Sequence, residues 1–175
     1  MKAFSIEHPD KGLIVFRDRK RYLWLASLFY PLLALSGIGL YVATGSEWAL
    51  LTPLVSIYGG ASLFDWWLGE DRNNPPEELV GQLEDDPYYR WLPMLTVPLH
   101  AIVLVAIAAF VGTQSLSPVA ILILALTAGL YSGLGINTAH ELGHKKPALA
   151  RWLARTVPAL PAHGHFCPEP TRGHP

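Results

Sequence analysis

The chain has 175 residues, enough for one domain and short for two. Hydrophobic residues make up 51% of it and charged ones 15%, against roughly 25% charge in ordinary soluble domains, which points to lipid as the solvent. The formal net charge of −1 is uninformative and nucleic acid is not an expected partner, while the single cysteine, Cys167, excludes a disulfide framework or a cysteine metal cluster.

Residues 1–21 form a polar arm carrying Lys2, Lys11, Arg17, Arg19, Lys20 and Arg21, with a small apolar patch, Leu13–Phe16, suited to the membrane interface. The arm has neither the apolar core nor the small-residue cleavage site of a signal peptide, so the first apolar run is expected to serve as the insertion signal. That run, Tyr22–Val42, is free of charge and has about the 20 residues that a bilayer-spanning helix needs, with Pro31 placed to kink it. A tight turn, Ala43–Glu47, leads into a second run from Trp48 to Leu68, which holds Pro53, Gly59, Gly60 and one acid, Asp65. Gly69–Arg90 is a polar loop. Pro75 and Pro76 forbid a helix through that point, while Glu77 and Glu78 suit the first turn of a following one. A third run, Trp91–Val111, carries a lone His100, for which a hydrogen-bonded core position is the expectation. Gly112–Ser117 turns the chain into a fourth run, from Pro118 to about Ile136.

All 13 Lys and Arg residues fall in the arm, in the Gly69–Arg90 loop or after Ile136, and the two short turns have none. By the positive-inside rule, the expected fold is therefore an all-α integral membrane protein of four transmembrane helices in two hairpins, both termini cytoplasmic. Its organisation is an arm at 1–21, a membrane domain at 22–146 and a cytoplasmic tail at 147–175. Aromatic residues near the run ends, among them Trp24, Trp48, Trp66, Trp67 and Trp91, fit a headgroup belt.

The fourth run leads into Asn137-Thr138-Ala139-His140-Glu141-Leu142-Gly143-His144-Lys145-Lys146. On a helix, His140 and His144 stand one turn apart on the same face, where two imidazoles can grip one ion. Neutral imidazole binds Zn, Fe, Cu or Ni, so the pair alone does not name the metal. His-Glu-Leu-Gly-His also satisfies the zinc-protease pattern, with Glu141 as the general base. Two histidines are too few for a closed site, and His163, His165 and His174 follow downstream, as further ligands or as a histidine-bearing tail. Asp65, near the end of the second run, is placed either to accept a hydrogen bond from a ligand histidine or to snorkel at the interface.

Three stretches resemble the membrane-bound non-haem di-iron alkane monooxygenases, relatives of xylene monooxygenase and the fatty-acid desaturases. They are Asp65-Trp66-Trp67-Leu68-Gly69-Glu70-Asp71-Arg72-Asn73-Asn74-Pro75-Pro76-Glu77-Glu78, the first histidine box from Asn137 to Lys145, and Gly164-His165-Phe166 through Glu169 to Arg172-Gly173-His174. The resemblance implies the N-terminal part of a six-helix membrane enzyme of the bacterial inner membrane. It further implies a di-iron centre, an n-alkane and O2 as substrates, a rubredoxin-type electron donor and hydroxylation of a terminal methyl group. Carried over position by position, the ligands it implies are His140, His144 and His174. The family's second box has histidines where this chain has Pro170 and Pro175, and its later helices and boxes have no counterpart here, so the expected iron site is incomplete and the chain inactive by itself. The alternatives are an intramembrane zinc protease and a non-catalytic membrane protein.

Overall fold

The computed structural model describes residues 2–69, 74–145 and 147–159. Its first element departs from the all-α expectation. The arm is a β-hairpin, β1 (Lys2–His8) paired antiparallel to β2 (Gly12–Asp18), with Phe4 opposite Phe16 and Ile6 opposite Ile14. The reason lies in a period of two. Phe4, Ile6, Ile14 and Phe16 share one face of the pleat, and Gly12 supplies the left-handed backbone (φ 70°) that closes the turn. The apolar patch therefore splits between two faces: Ile14 and Phe16 turn inward, while Leu13 and Val15 stay exposed.

The hairpin's apolar face is covered by α5 (Glu77–Asp85), which begins after Pro76 with Glu77 and Glu78 in its first turn, as the sequence predicts. Phe4, Phe16 and Leu79 form a small buried cluster flanked by Leu83 and Tyr89. Lys11 pairs with Glu78, and the Gln82 amide donates to the Ser5 carbonyl (3.0 Å).

The first apolar run is bent. A 3-10 segment, Arg21–Leu28, meets α1 (Tyr30–Leu33) and α2 (Ser36–Thr44) at 42°, with Pro31 in the first turn of α1. Gly45, left-handed at φ 69°, ends α2. The second run is helical throughout but is no single regular helix. A 3-10 turn (Glu47–Leu51), α3 (Thr52–Val55), a π-helical turn (Ser56–Gly60) and α4 (Ala61–Leu68) follow one another. Pro53 restarts the ladder at α3, and the Gly59-Gly60 pair lies in the π turn, so the run lacks the uniform α-helix expected of it. The two runs approach closely at Gly37, where a Cβ would stand 2.9 Å from Pro53 Cδ and 3.0 Å from the Leu50 carbonyl oxygen.

Two long helices complete the membrane part. These are α6 (Pro87–Thr113) and α7 (Pro118–Gly143), of 27 and 26 residues, or about 40 Å each at 1.5 Å per residue. Both are long and apolar enough to cross a bilayer whose hydrocarbon core is about 30 Å thick, and the bent first run counts as a third such segment if taken as one. Asp86 caps α6 by accepting from the Tyr88 amide (2.8 Å), and Ser117 caps α7 by accepting from the Ala120 amide (3.2 Å). The main core lies between these helices and the first two runs, around Ala34, Leu50, Val103, Ile107, Leu124 and Tyr131. Beyond α7, α8 (Ala148–Ala159) folds back against α6 and α7.

Candidate metal centre at the end of α7

The histidine stretch takes the form its spacing predicts. His140 lies in the last turn of α7 and His144 is its C-cap residue. One turn of helix sets their rings 4.7 Å apart at 70°, with Nε2 to Nε2 at 3.3 Å, so that one ring's N–H donates to the other's lone pair. The rotation of this turn is set by its opposite face. Ala139 and Leu142 are buried against Met94 and Val97 of α6 and Ala150 and Ala154 of α8, which turns His144 outward to the surface and leaves His140 half-buried. Lys145 pairs with Glu84 and ties the end of α7 to α5. Unpaired carbonyls at a helix C-terminus favour a cation there, which suits a metal ion bound to this pair.

The donors fit one ion. Two nitrogens each about 2.1 Å from a metal lie about 3.0–3.4 Å apart at ligand angles of roughly 90–110°, and the observed 3.3 Å falls in that interval. The pair is nevertheless only part of a site: among the described residues, no group of three or more His, Cys, Asp or Glu side chains is placed to hold a metal. His163, His165 and His174, together with Pro170 and Pro175, lie outside the described residues.

His100 is a core residue. It is 2% exposed, and its Nδ1 stands 2.9 Å from the Thr96 carbonyl oxygen. A carbonyl only accepts, so Nδ1 carries the proton and Nε2 accepts the Tyr30 hydroxyl at 3.2 Å. Thr138 Oγ1 lies 3.5 Å from the same phenol oxygen, two residues before His140. This string of polar groups joins the first, third and fourth runs inside the membrane part. Sequence reasoning found His100 but not Tyr30 or Thr138, since nothing in the spacing pairs residues 70 and 108 positions apart. Beside the string is a cavity of about 220 Å3, lined by Trp24, Ser27, Leu92, Pro93 and Thr96 as well as Tyr30 and Thr138. Asp65 is exposed on α4 and makes no side-chain hydrogen bond to either histidine.

Nearer the hairpin, Asp86 is buried and takes salt bridges from Lys2 (2.5 Å) and Arg21 (3.2 Å). Burial works against its charge, but the Arg21 guanidinium, the Lys2 ammonium and the Tyr88 amide together hold its carboxyl far below the usual carboxylate range. Arg21 also lies over the Tyr88 ring at 4.1 Å, and the Tyr88 hydroxyl donates to the Arg21 carbonyl. At the opposite end, Glu47 accepts from the Ser117 amide (2.8 Å) and hydroxyl (2.5 Å).

Fold and site together define a helical membrane protein with a histidine pair where its last long helix ends. No family model matches the chain. Over nine-tenths of its length the chain is homologous to alkane 1-monooxygenases. It is 47% identical over 159 residues to an alkane 1-monooxygenase of Pseudomonas putida, 46% to one of Ectopseudomonas oleovorans and 46% to alkane 1-monooxygenase 1 of Alcanivorax borkumensis. In each case the match covers 90% of this chain and 39% of the relative, so the chain spans about two-fifths of the length of the proteins it matches. The zinc-protease alternative finds no support among these relatives.

Proposed function

We propose that the chain supplies part of an alkane 1-monooxygenase that converts an n-alkane, O2, two electrons and two protons into the primary alcohol and water. The observation that carries this reading is the 46–47% identity to alkane 1-monooxygenases over 90% of the chain. In it, His140 and His144 are two ligands of an iron centre and His174 is a third. Iron held there would supply the activation of O2. The chain's own contribution is to fix both imidazoles on one rigid turn, braced from behind by Ala139 and Leu142. The 220 Å3 cavity next to Thr138, walled by Trp24, Leu92 and Pro93, suits an alkyl chain approaching from the bilayer. A rubredoxin-type carrier delivers the electrons at the cytoplasmic face.

The same reading has four crossings of the bacterial inner membrane with both termini in the cytoplasm. It is supported by the Glu47–Ser117 bonds, which hold the two short cation-free turns together at one end.

A chimera tests the proposal: this chain replaces the matched region of the Pseudomonas putida relative, in membranes supplied with reductant and octane. Production of 1-octanol that is abolished by His140→Ala and by His144→Ala is expected, with none from the unfused chain. Octanol formation that survives either substitution overturns the ligand assignment. A chimera that stays inactive after Pro170→His and Pro175→His, while inserting normally, overturns the functional reading.

A further inference from the structure

We infer that α8 is a membrane-interface anchor, which inserts Leu149 and Trp152 at the headgroup boundary and binds anionic lipid phosphates through Arg151 and Arg155. The helix has three distinct flanks. Ala150, Leu153 and Ala154, spaced three and four apart, face the bundle, with both alanines fully buried. Leu149 and Trp152 share a second flank and are 46% and 60% exposed. Arg151 and Arg155 occupy a third, also exposed, and α8 contains no acid to offset them. Arg151 additionally donates to the Lys145 carbonyl at 3.4 Å, which leaves Arg155 as the cation most available to lipid.

Depth turns this amphipathicity into an assignment of partner. The buried alanines of α8 pack on Met94 and Val97, seven and ten residues past the start of α6, and on Ala139 and Leu142 near the end of α7. Those positions lie about 10–15 Å along α6 from its first residue. A helix of about 40 Å centred on a hydrocarbon core of about 30 Å projects only about 5 Å beyond it at each end. The contacts with Met94 and Val97 therefore lie about 5–10 Å inside the hydrocarbon edge, the depth to which interfacial helices bury their apolar face. At that level an exposed indole meets the interface that tryptophan prefers, and an arginine reaches up to phosphate. The turn that carries His144 is joined to α8 by three residues, so lipid contacts on α8 set the depth of the histidine pair as well.

The assignment requires only that α6 and α7 cross a bilayer, and it does not depend on the oxygenation chemistry. Its test uses the whole chain in nanodiscs of phosphatidylcholine and phosphatidylglycerol at 3:1. Spin labels are placed on Leu149→Cys, Trp152→Cys and Arg155→Cys, one at a time, in a Cys167→Ser background. A label on Leu122→Cys, on the exposed face of α7, reports correct insertion in every sample. Labels at 149 and 152 are expected to collide with oxygen in preference to an aqueous nickel chelate, and the label at 155 is expected at shallower depth. With Arg151→Glu and Arg155→Glu combined, the preference of a spin-labelled phosphatidylglycerol over phosphatidylcholine for the protein is expected to fall severalfold. Preferential nickel access at 149 and 152, with Leu122→Cys normal, shows a water-exposed helix and overturns the proposal. Labels shielded from both reagents show a protein-covered face and overturn it equally. An unchanged lipid preference after charge reversal refutes the phosphate contacts.

Discussion

Tyr30 donates its hydroxyl to Nε2 of His100 across 3.2 Å, and in doing so satisfies an imidazole that is 2% exposed inside the membrane part. The bond fixes the tautomer, because Nδ1 is already committed to the Thr96 carbonyl. Without the hydroxyl, Nε2 has no donor, and a buried unsatisfied acceptor costs about 1–3 kcal/mol. Tyr30→Phe is therefore expected to destabilise the chain by about that much, while Tyr30→Phe combined with His100→Phe recovers part of the loss. Unfolding of the detergent-solubilised protein, followed by far-UV circular dichroism over a complete double-mutant cycle, measures both effects. A loss in the double variant equal to the sum of the two single losses would leave the bond without energetic standing.

Glu47 gives the fold an acid-sensitive clasp. Hydrogen bonds from the Ser117 hydroxyl and amide, against a small opposing effect of burial, hold its carboxyl below the ordinary value of 4.5. A carboxyl depressed in the folded state contributes fully above its unfolded value, and that contribution is lost as pH falls through the folded one. The melting temperature is thus expected to drop on acidification below about 4.5, with the Glu47 part of that drop missing in Glu47→Gln. Parallel melting curves for the two proteins between pH 3 and 7 read the difference directly.

The membrane character of the chain, the bend at Pro31, the start of α5 and the alignment of His140 with His144 are all legible in the sequence, because each rests on spacing within one stretch. What stayed hidden depends on tertiary context. The alternation of Phe4, Ile6, Ile14 and Phe16 is a strand signal, yet it only becomes a hairpin because Leu79 of α5 lies across it. Likewise, the break of the second run into 3-10, α and π pieces follows from Pro53 and the glycine pair, whose effect a count of apolar residues does not register. α8 lies in the stretch expected only as a tail, and its inward face emerges from the packing of Ala150 and Ala154 on Met94 and Val97.

Asp86 does two jobs that substitution can separate. As the N-cap of α6 it accepts from the Tyr88 amide, and as a buried anion it neutralises Arg21 and Lys2. Asparagine is a good N-cap residue, so Asp86→Asn keeps the first job and loses the second, whereas Asp86→Ala loses both. Breaking a buried pair costs about 3–5 kcal/mol, and the low end is expected here because Lys2 is half exposed and can return to water. Capping adds about 1 kcal/mol, so Asp86→Ala is expected to lie about that far below Asp86→Asn. Hydrogen exchange of β1 and β2 should accelerate in both variants, since Lys2 and Arg21 tie the hairpin to α6. Protection of the hairpin unchanged from the native protein would show that Leu79 and Phe16 suffice to hold it.

Gly37 marks a close approach of the first two runs, and its substitution tests whether they pack as the structure has them. A methyl group there would stand 2.9 Å from Pro53 Cδ, 3.0 Å from the Leu50 carbonyl oxygen and 3.1 Å from Leu50 Cα. Two of those three atoms are backbone and the other belongs to a proline ring, so none can swing aside as a flexible side chain would. Helix propensity alone favours alanine over glycine by about 1 kcal/mol, whereas overpacking costs about 1–3 kcal/mol. Gly37→Ala should therefore be neutral to destabilising by about 2 kcal/mol. Gly39→Ala, with open space around its added methyl group, should be stabilising by about 1 kcal/mol. The contrast between neighbouring glycines in one helix cancels propensity and leaves only the contact with Leu50 and Pro53. If both variants unfold at the same denaturant concentration, the second run does not pack against α2 at this point.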